Sequence, residues 1–262
     1  MQNSKKLSVI IVNYRSEGYL KRCIASIYNQ ASQNETEIIV VNNDEKEELD
    51  NISKEFPEIN IVNLRKNVGF GAANNIGVKK AQSSHLLFLN PDTEIIKIDI
   101  AEVTRKMDDD PTAGIIGVKI IDAGGGLQEW AVGFSEVNLL DLIRNNVGLA
   151  KKFMSAGESA KEIFWVSGAA FFMPKKLFWE VGGFDEKYFL YYEDVDLCKA
   201  VRKAGKKIRH MPEVVVKHIG GGSHADEARQ KADFYVSQEY YFQKHFGPVQ
   251  AKLVKILRKI FV

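Results

Sequence analysis

The stretch "SHLLFLNPDTEII", Ser84–Ile96, decides how the chain is read. Leu86–Leu89 is a continuous apolar run of strand length, which suits a strand covered on both faces. It ends abruptly in Asn90-Pro91-Asp92-Thr93: an amide, a helix breaker, a carboxylate and a hydroxyl. Turn chemistry accounts for that composition. A metal or phosphate site at the carboxyl end of a buried strand accounts for it equally well. The neighbouring segments separate the two.

Upstream, "LSVIIVN" (Leu7–Asn13) is a second apolar, β-branched run. "YLKRCIASIYNQ" follows it with Leu20, Cys23, Ile24 and Ile27 at helical spacing. "EIIVVNN" (Glu37–Asn43) and "NIVNL" (Asn60–Leu64) read as strands, with the charged helix "KEELDNISKEF" between them. The small-residue helix "FGAANNIGVKKAQ" leads into the stretch quoted first. Downstream, a helix near Ile98–Met107 precedes the strand "AGIIGVKI". This alternation predicts an α/β fold with a doubly wound, mostly parallel sheet and right-handed crossovers.

After Asp122 the rhythm stops. "DAGGGLQEWAVGF" reads as a glycine-rich loop, and Asn138–Glu162 carries little pattern. Regularity returns with "FWVSGAAFFMP", a short helix at Lys175–Val181, the turn "GGFDEKYFLYY" and the helix "EDVDLCKAVRKAG". Two short strands, "KIRHM" and "EVVVKH", come next, and from Ala225 the chain reads as helix interrupted at Gly247-Pro248.

Composition narrows the function. The chain has 262 residues, 45% hydrophobic and 27% charged, enough for a sizeable core. A net charge of +2 with dispersed basic residues gives no footprint for nucleic acid. Cys23 and Cys198 lie far apart without metal-ligand spacing and read as reduced core thiols of a cytosolic protein. The apolar run before Asn13 is too short for a signal peptide, and no run reaches the roughly 20 residues of a membrane span. The expectation is a cytoplasmic protein, at most peripheral on a membrane.

The strand ends answer the opening question. They read Asn13-Tyr14-Arg15, Asn42-Asn43-Asp44, Arg65-Lys66-Asn67 and Asn90-Pro91-Asp92. In an open parallel sheet these ends share one edge, where doubly wound folds bind ligands. Gly69 and Gly71 precede a helix there, so backbone N–H groups can face an anion.

Six segments, in order, resemble the glycosyltransferase family 2 enzymes with a GT-A fold, and more closely the bacterial rhamnosyltransferase-like branch. They are "SVIIVNY", "EIIVVNN", "NVGFGAANNIG", "LFLNPDTE", "VSGAAFFMPKKLFWEVGGFDEKYFLYYEDVDLCKAVRKAG" and "VVVKHIGGGS", spanning roughly residues 7 to 223. The resemblance implies a GT-A domain over 1–224 and a helical tail over 225–262. Within the domain, 1–122 forms the Rossmann-like nucleotide-binding half and 123–224 a smaller, mixed half for acceptor and catalysis.

The implied activity is inverting transfer from a nucleoside-diphosphate sugar, dTDP-rhamnose or a UDP-hexose. The acceptor is a glycan or lipid-linked sugar in surface-polysaccharide synthesis. The implied cofactor is Mg2+ or Mn2+, held by Asp92 and His218, with His210 and His224 as weaker alternatives and His85 and His245 structural or at the surface. Asn90 stands where the family's Asp-x-Asp element has its first acid, and its amide oxygen faces ribose or water. Asp194 is the implied base, and Glu193 holds the acceptor or tunes the pair, while Asp196 caps or pairs with a basic residue. Asn13 and Tyr14 line the base pocket, and Asn42 replaces the Asp that accepts the pyrimidine imide N–H. Asn67 and Gly69 border ribose and diphosphate, while Trp165 and Gly168 approach the acceptor and donor sugar. A catalytically inactive nucleotide- or glycan-binding module is the alternative reading of the same residues.

The last segment, "VQAKLVKILRKIFV", sets Val249, Leu253, Ile256, Leu257 and Ile260 on one side, with Lys252, Lys255, Arg258 and Lys259 elsewhere. Such a helix lies on anionic lipid, or packs on its own domain or a second subunit. The sequence leaves these open.

Overall fold

The computed structural model describes residues 5–31, 34–46, 48–146, 163–220 and 227–261. In chain order its elements begin β1 (Leu7–Asn13), α1 (Glu17–Gln30), β2 (Thr36–Asn42), α2 (Asp50–Glu55), β3 (Asn60–Asn63), α3 (Phe70–Lys80) and β4 (His85–Leu89). There follow β5 (Thr93–Lys97), α4 (Ile100–Asp109), β6 (Ala113–Ile121), β7 (Val132–Gly133), α5 (Leu139–Asn146), β8 (Trp165–Val166) and β9 (Ala170–Pro174). The chain closes with α6 (Lys175–Glu180), α7 (Glu193–Lys203), β10 (Lys207–His218), α8 (Glu227–Phe246) and α9 (Pro248–Phe261).

Among the described residues the main sheet runs β3-β2-β1-β4-β9-β6-β10-β5. Pairs β1–β2, β1–β4, β2–β3 and β6–β10 are parallel, whereas β9 and β5 run against their neighbours. β1 is buried at every position, as its unbroken apolar run requires. Its side chains alternate between two cores. Val9 and Ile11 join Leu20, Cys23, Ile24 and Ile27 of α1, while Ile10 joins Phe88, Phe171, Phe178 and Phe184 on the other face. The fold is therefore the expected α/β sandwich, with helices on both faces of a mostly parallel sheet.

Two features depart from the sequence reading. Thr93–Lys97 is a strand, not the continuation of a turn. Its outer end, with Ile96 46% exposed, lies at the sheet's edge and lacks the apolar run that marks a central strand. "KIRHM" and "EVVVKH" form one strand, β10, whose register against β6 shifts between Met211 and Val215. Pro212 falls in that irregularity, where a missing N–H breaks no regular ladder bond. Of the weakly patterned segment, 139–146 is helical and 147–162 lies outside the described residues.

The C-terminal helices fold back on each other and on α7. Tyr241, Phe242 and Val254 share an aromatic cluster with Tyr188 and Tyr192. Asp196, buried on α7, accepts from Lys244 Nζ at 2.8 Å and lies 2.6 Å from His245 Nε2. Asp196 thus pairs with basic residues, and His245 is structural, as expected.

Helix α3 approaches the sheet so closely that a Cβ on Gly77 would lie 2.6 Å from Ile10 Cγ2 and 3.1 Å from Val41 Cγ2. Both neighbours are stiff, β-branched and buried, so the helix must lift. Gly77→Ala should lower stability by about 1–2 kcal/mol despite the gain in helix propensity, as measured by urea denaturation.

Candidate active site

The strand ends gather at one side of the sheet around a cavity of about 900 Å3. Tyr14 and Arg15 enter from the end of β1, Asn43 from β2, Asn67 and Gly69 from the loop before α3, and Asn90-Pro91-Asp92 from β4. Gly168 precedes β9, Glu193 and Asp194 open α7, and His218 ends β10. Trp165 also lines the cavity and is half-buried, its indole Nε1 lying over Gly133.

Asn13 and Asn42 are not in the wall. They form a buried amide ladder behind it: Asn13 Nδ2 donates to Asn42 Oδ1 at 3.2 Å, and Asn42 Nδ2 donates to Asn63 Oδ1 at 3.1 Å. Their neighbours reach the cavity instead. Asn43 and Asn67 are tied to each other at 2.9 Å, and Asn43 Oδ1 and Asn67 Oδ1 accept from the N–H groups of Val68 and Gly69. Gly69 has φ 89°, and a Cβ there would lie 2.6 Å from the carbonyl oxygen of Phe189. Only glycine suits both demands. Phe70 N–H donates to that carbonyl at 2.9 Å, joining the loop before α3 to the loop before α7.

Asp92 and His218 face each other, each 7% exposed, with Asp92 Oδ1 3.4 Å from His218 Nε2. The register sets this up, because His218 pairs with Thr93 in the β5–β10 ladder. Gln128 fixes the imidazole. Its Nε2 donates to the His218 carbonyl at 2.9 Å, so its Oε1, 2.9 Å from Nδ1, must accept the ring proton. Turning the amide over would set two oxygens face to face. In the neutral ring, with its one proton on Nδ1, Nε2 presents a lone pair to the carboxylate. Two electron-rich atoms held together out of water are stabilised by a cation between them. One oxygen and one nitrogen donor suit Mg2+ or Mn2+ when substrate oxygens and water complete the shell. No third His, Cys, Asp or Glu joins them among the described residues.

Glu193 and Asp194 sit where the chain turns through two left-handed residues, Tyr191 (φ 70°) and Tyr192 (φ 67°). Such backbone is costly for tyrosine and aims both acids into the cavity. Asp194 Oδ2 accepts from Gly168 N–H at 2.7 Å and Oδ1 from Val195 N–H at 2.8 Å. Burial raises the Asp194 pKa, opposed by these N–H bonds. Glu193 is pushed well higher, by burial first and the Asp194 charge second, and its Oε2 has no partner. The two N–H donors favour the charged form of Asp194, whereas the unpartnered Oε2 makes the neutral form of Glu193 the less costly one to bury. Asn90 Oδ1 is a second unpartnered acceptor at the cavity. Cys23 lies beneath the Asn90–Thr93 turn and Cys198 near Asp194. Burial pushes the Cys23 thiol, 3.7 Å from Thr93 Oγ1, up to about 12, and raises Cys198 also.

Several wall residues escaped the sequence reading. Arg15 has φ 54°, lies over the Tyr14 ring and pairs with Asp44 at 3.4 Å. Trp130 lies edge-on to His218 with ring centroids 5.7 Å apart. Arg229, Gln230, Asp233 and Phe234 of α8 close one side. The glycine-rich loop hides Gln128 and Trp130, and nothing in the sequence of α8 marks a cavity wall.

The family model described as Glycosyl transferase family 2 matches residues 8–182. The chain belongs to glycosyl transferase family 2. That match includes Asp92 and ends before Glu193, Asp194 and His218. Among curated relatives of this family 2 chain, the low-salt glycan biosynthesis hexosyltransferase Agl10 of Haloferax volcanii is 28% identical over 75% of the chain. The N-acetylglucosaminyl-diphospho-decaprenol L-rhamnosyltransferase of Mycobacterium tuberculosis is 25% identical over 96% of the chain and 89% of its own length. The chain spans 62% of the haloarchaeal relative. A crystal structure of GalNAc-T7 with UDP, GalNAc and Mn2+ superposes with a TM-score of 0.67 at 16% identity, over 93% of this chain and 48% of that one. At that identity the likeness speaks to the fold, which is GT-A-like.

Two predictions follow from this geometry. Gln128→Leu should convert His218 from a single Nδ1–H tautomer to a mixture, read by imidazole nitrogen NMR shifts. The second concerns stability. The folded chain keeps the Glu193 proton to higher pH than the unfolded chain, so stability falls as pH climbs from the ordinary carboxylate range through the raised value. Glu193→Gln should remove that loss, and its Tm should exceed the wild type's by a margin that widens toward neutral pH.

Proposed function

We propose that the chain moves a sugar from a nucleoside-diphosphate donor to a hydroxyl of a glycan or lipid-linked acceptor in polysaccharide synthesis, with inversion at the anomeric carbon. Rhamnose is the sugar favoured by the rhamnosyltransferase likeness. One observation carries the reading: Asp194, held by two backbone N–H groups, and the Asp92–His218 pair border the same cavity.

Asp194 accepts the proton of the acceptor hydroxyl as its oxygen attacks the anomeric carbon. The bond from that carbon to the diphosphate oxygen breaks, and the nucleoside diphosphate leaves. A base with a raised pKa suits proton removal near neutrality. Glu193, carrying its own proton, donates to or positions the acceptor without adding a second charge beside the base. Asp92 and His218 would hold a divalent cation, which would supply charge neutralisation for a diphosphate leaving group.

Tyr14, Arg15, Asn67 and the Gly69 backbone border the donor, with Asn13 and Asn42 supporting them from behind. Asn90 Oδ1 takes a ribose hydroxyl or water. Trp165 and Trp130 offer apolar faces to the acceptor sugar, and Gly168 acts through its bond to Asp194. In this division residues 1–122 hold the donor, residues 123–224 supply the base and acceptor side, and the helices of 225–262 add one wall.

The test is incubation with a panel of nucleoside-diphosphate sugars, Mn2+ and candidate acceptors, following release of the nucleoside diphosphate. Asp194→Asn should reduce turnover about 10^2–10^4-fold while donor affinity stays within a few-fold. A fully active Asp194→Asn removes the base assignment. Silence of the wild type across the panel, with nucleotide binding retained, favours a binding module.

A further inference from the structure

Helix α9 packs through the face opposite the one its sequence advertises. Ala251 and Val254 turn inward to the aromatic cluster, and Arg258 pairs with Glu239 and lies 4.3 Å over the Tyr235 ring. Val249, Leu253 and Ile256 are left 71%, 41% and 46% exposed. Their spacing, i, i+4 and i+7, aligns them in one outward stripe. Burial against the protein is already accomplished by the other face, so this stripe is surplus to folding.

The charge carried by α9 itself is one-signed. α9 contains Lys252, Lys255, Arg258 and Lys259 and no acidic residue. Lys255 and Arg258 turn to Glu239 of α8, whereas Lys252 and Lys259 lie exposed on the flank of the stripe. An outward apolar strip flanked by lysines complements a surface with acyl chains beneath anionic headgroups.

The helix's direction gives that surface a use. Gly247 (φ 84°) reverses the chain, and α9 runs back along α8, bringing Arg258 beside Tyr235. The preceding residue, Phe234, lines the cavity. α9 also touches α5, whose Leu142 lines it too. The C-terminal part of α9 therefore lies against elements that line the cleft.

We infer that the outward face of α9 docks the protein on an anionic bilayer and sets the cleft mouth against that surface, where the sugar of a lipid-linked acceptor is presented. The docking stands on α9 alone. Its link to the acceptor rests on the function proposed above. A second copy of this chain is the competing occupant, and a test separates them.

Full-length protein is floated with phosphatidylcholine vesicles, with and without phosphatidylglycerol. Binding should appear only with the anionic lipid and decline with salt. Each lysine near such a surface contributes roughly fivefold in partitioning, so Lys252→Gln with Lys259→Gln should weaken binding roughly 25-fold. Leu253→Glu with Ile256→Glu should abolish it. Both pairs are at the surface, and unchanged circular dichroism and Tm would show that the fold persists. Absence of wild-type binding, or binding indifferent to both variants, overturns the proposal. So does a wild-type dimer in light scattering that Leu253→Glu with Ile256→Glu splits. Loss of docking with transfer to a water-soluble acceptor intact identifies the surface alone. Intact docking without transfer to a vesicle-embedded acceptor counts against the proposed acceptor and not against docking.

Discussion

The pairing of β5 with β10 is the constraint on which the site depends. His218 stands opposite Thr93 in that ladder, and Ile219 N–H donates to the Asp92 carbonyl at 3.0 Å. Strand pairing is a two-residue periodicity, so a slip by one position would turn His218 to the opposite face. Asp92 would then face no imidazole. The irregularity near Pro212 gives β10 the extra length to follow β6 and still arrive in this register. Gln128, from a loop with no regular structure of its own, then settles which imidazole nitrogen is bare.

Across the cavity the acids are placed by different means. Asp194 is oriented by backbone N–H groups from two separate segments, Gly168 and Val195. Two residues later on the same helix, Asp196 is held by Lys244 and His245 of α8. The C-terminal helices are therefore structural partners of the helix that carries the acids, besides lining the cavity through Phe234 and its neighbours. The contact of Gly69 with the Phe189 carbonyl closes the remaining gap, joining the loop before α3 to the segment that enters α7.

Much of this was legible from residues. A run such as "LSVIIVN" has no stable place except between two layers, and the polar strand ends had to share an edge once the sheet was parallel. The Asp-bearing turn after β4 was found for that reason, whereas the role expected for the acidic start of α7 came from the family resemblance. Other features depend on tertiary neighbours that local pattern does not encode. β5 is an edge strand with an exposed outer end, so it lacked the run that betrayed the others. Asn13 and Asn42 looked like wall residues because they end their strands, but a strand-end side chain points to one face or the other, and theirs turn into the ladder with Asn63. Of the apolar residues of α9, Val249, Leu253 and Ile256 do share one outward side, while the helix packs through Ala251, Val254 and Arg258 on the other.

The two buried thiols have a practical consequence. Cys23 lies under the Asn90–Thr93 turn, and Cys198 lies one turn into α7 behind Asp194. Both are fully covered and hard to ionise, so an alkylating reagent reaches either one only when the layer above it opens. Their labelling rates, resolved by peptide mass, would report the opening of the layers over Cys23 and over Cys198 separately, with no engineered probe and no need to know the substrate.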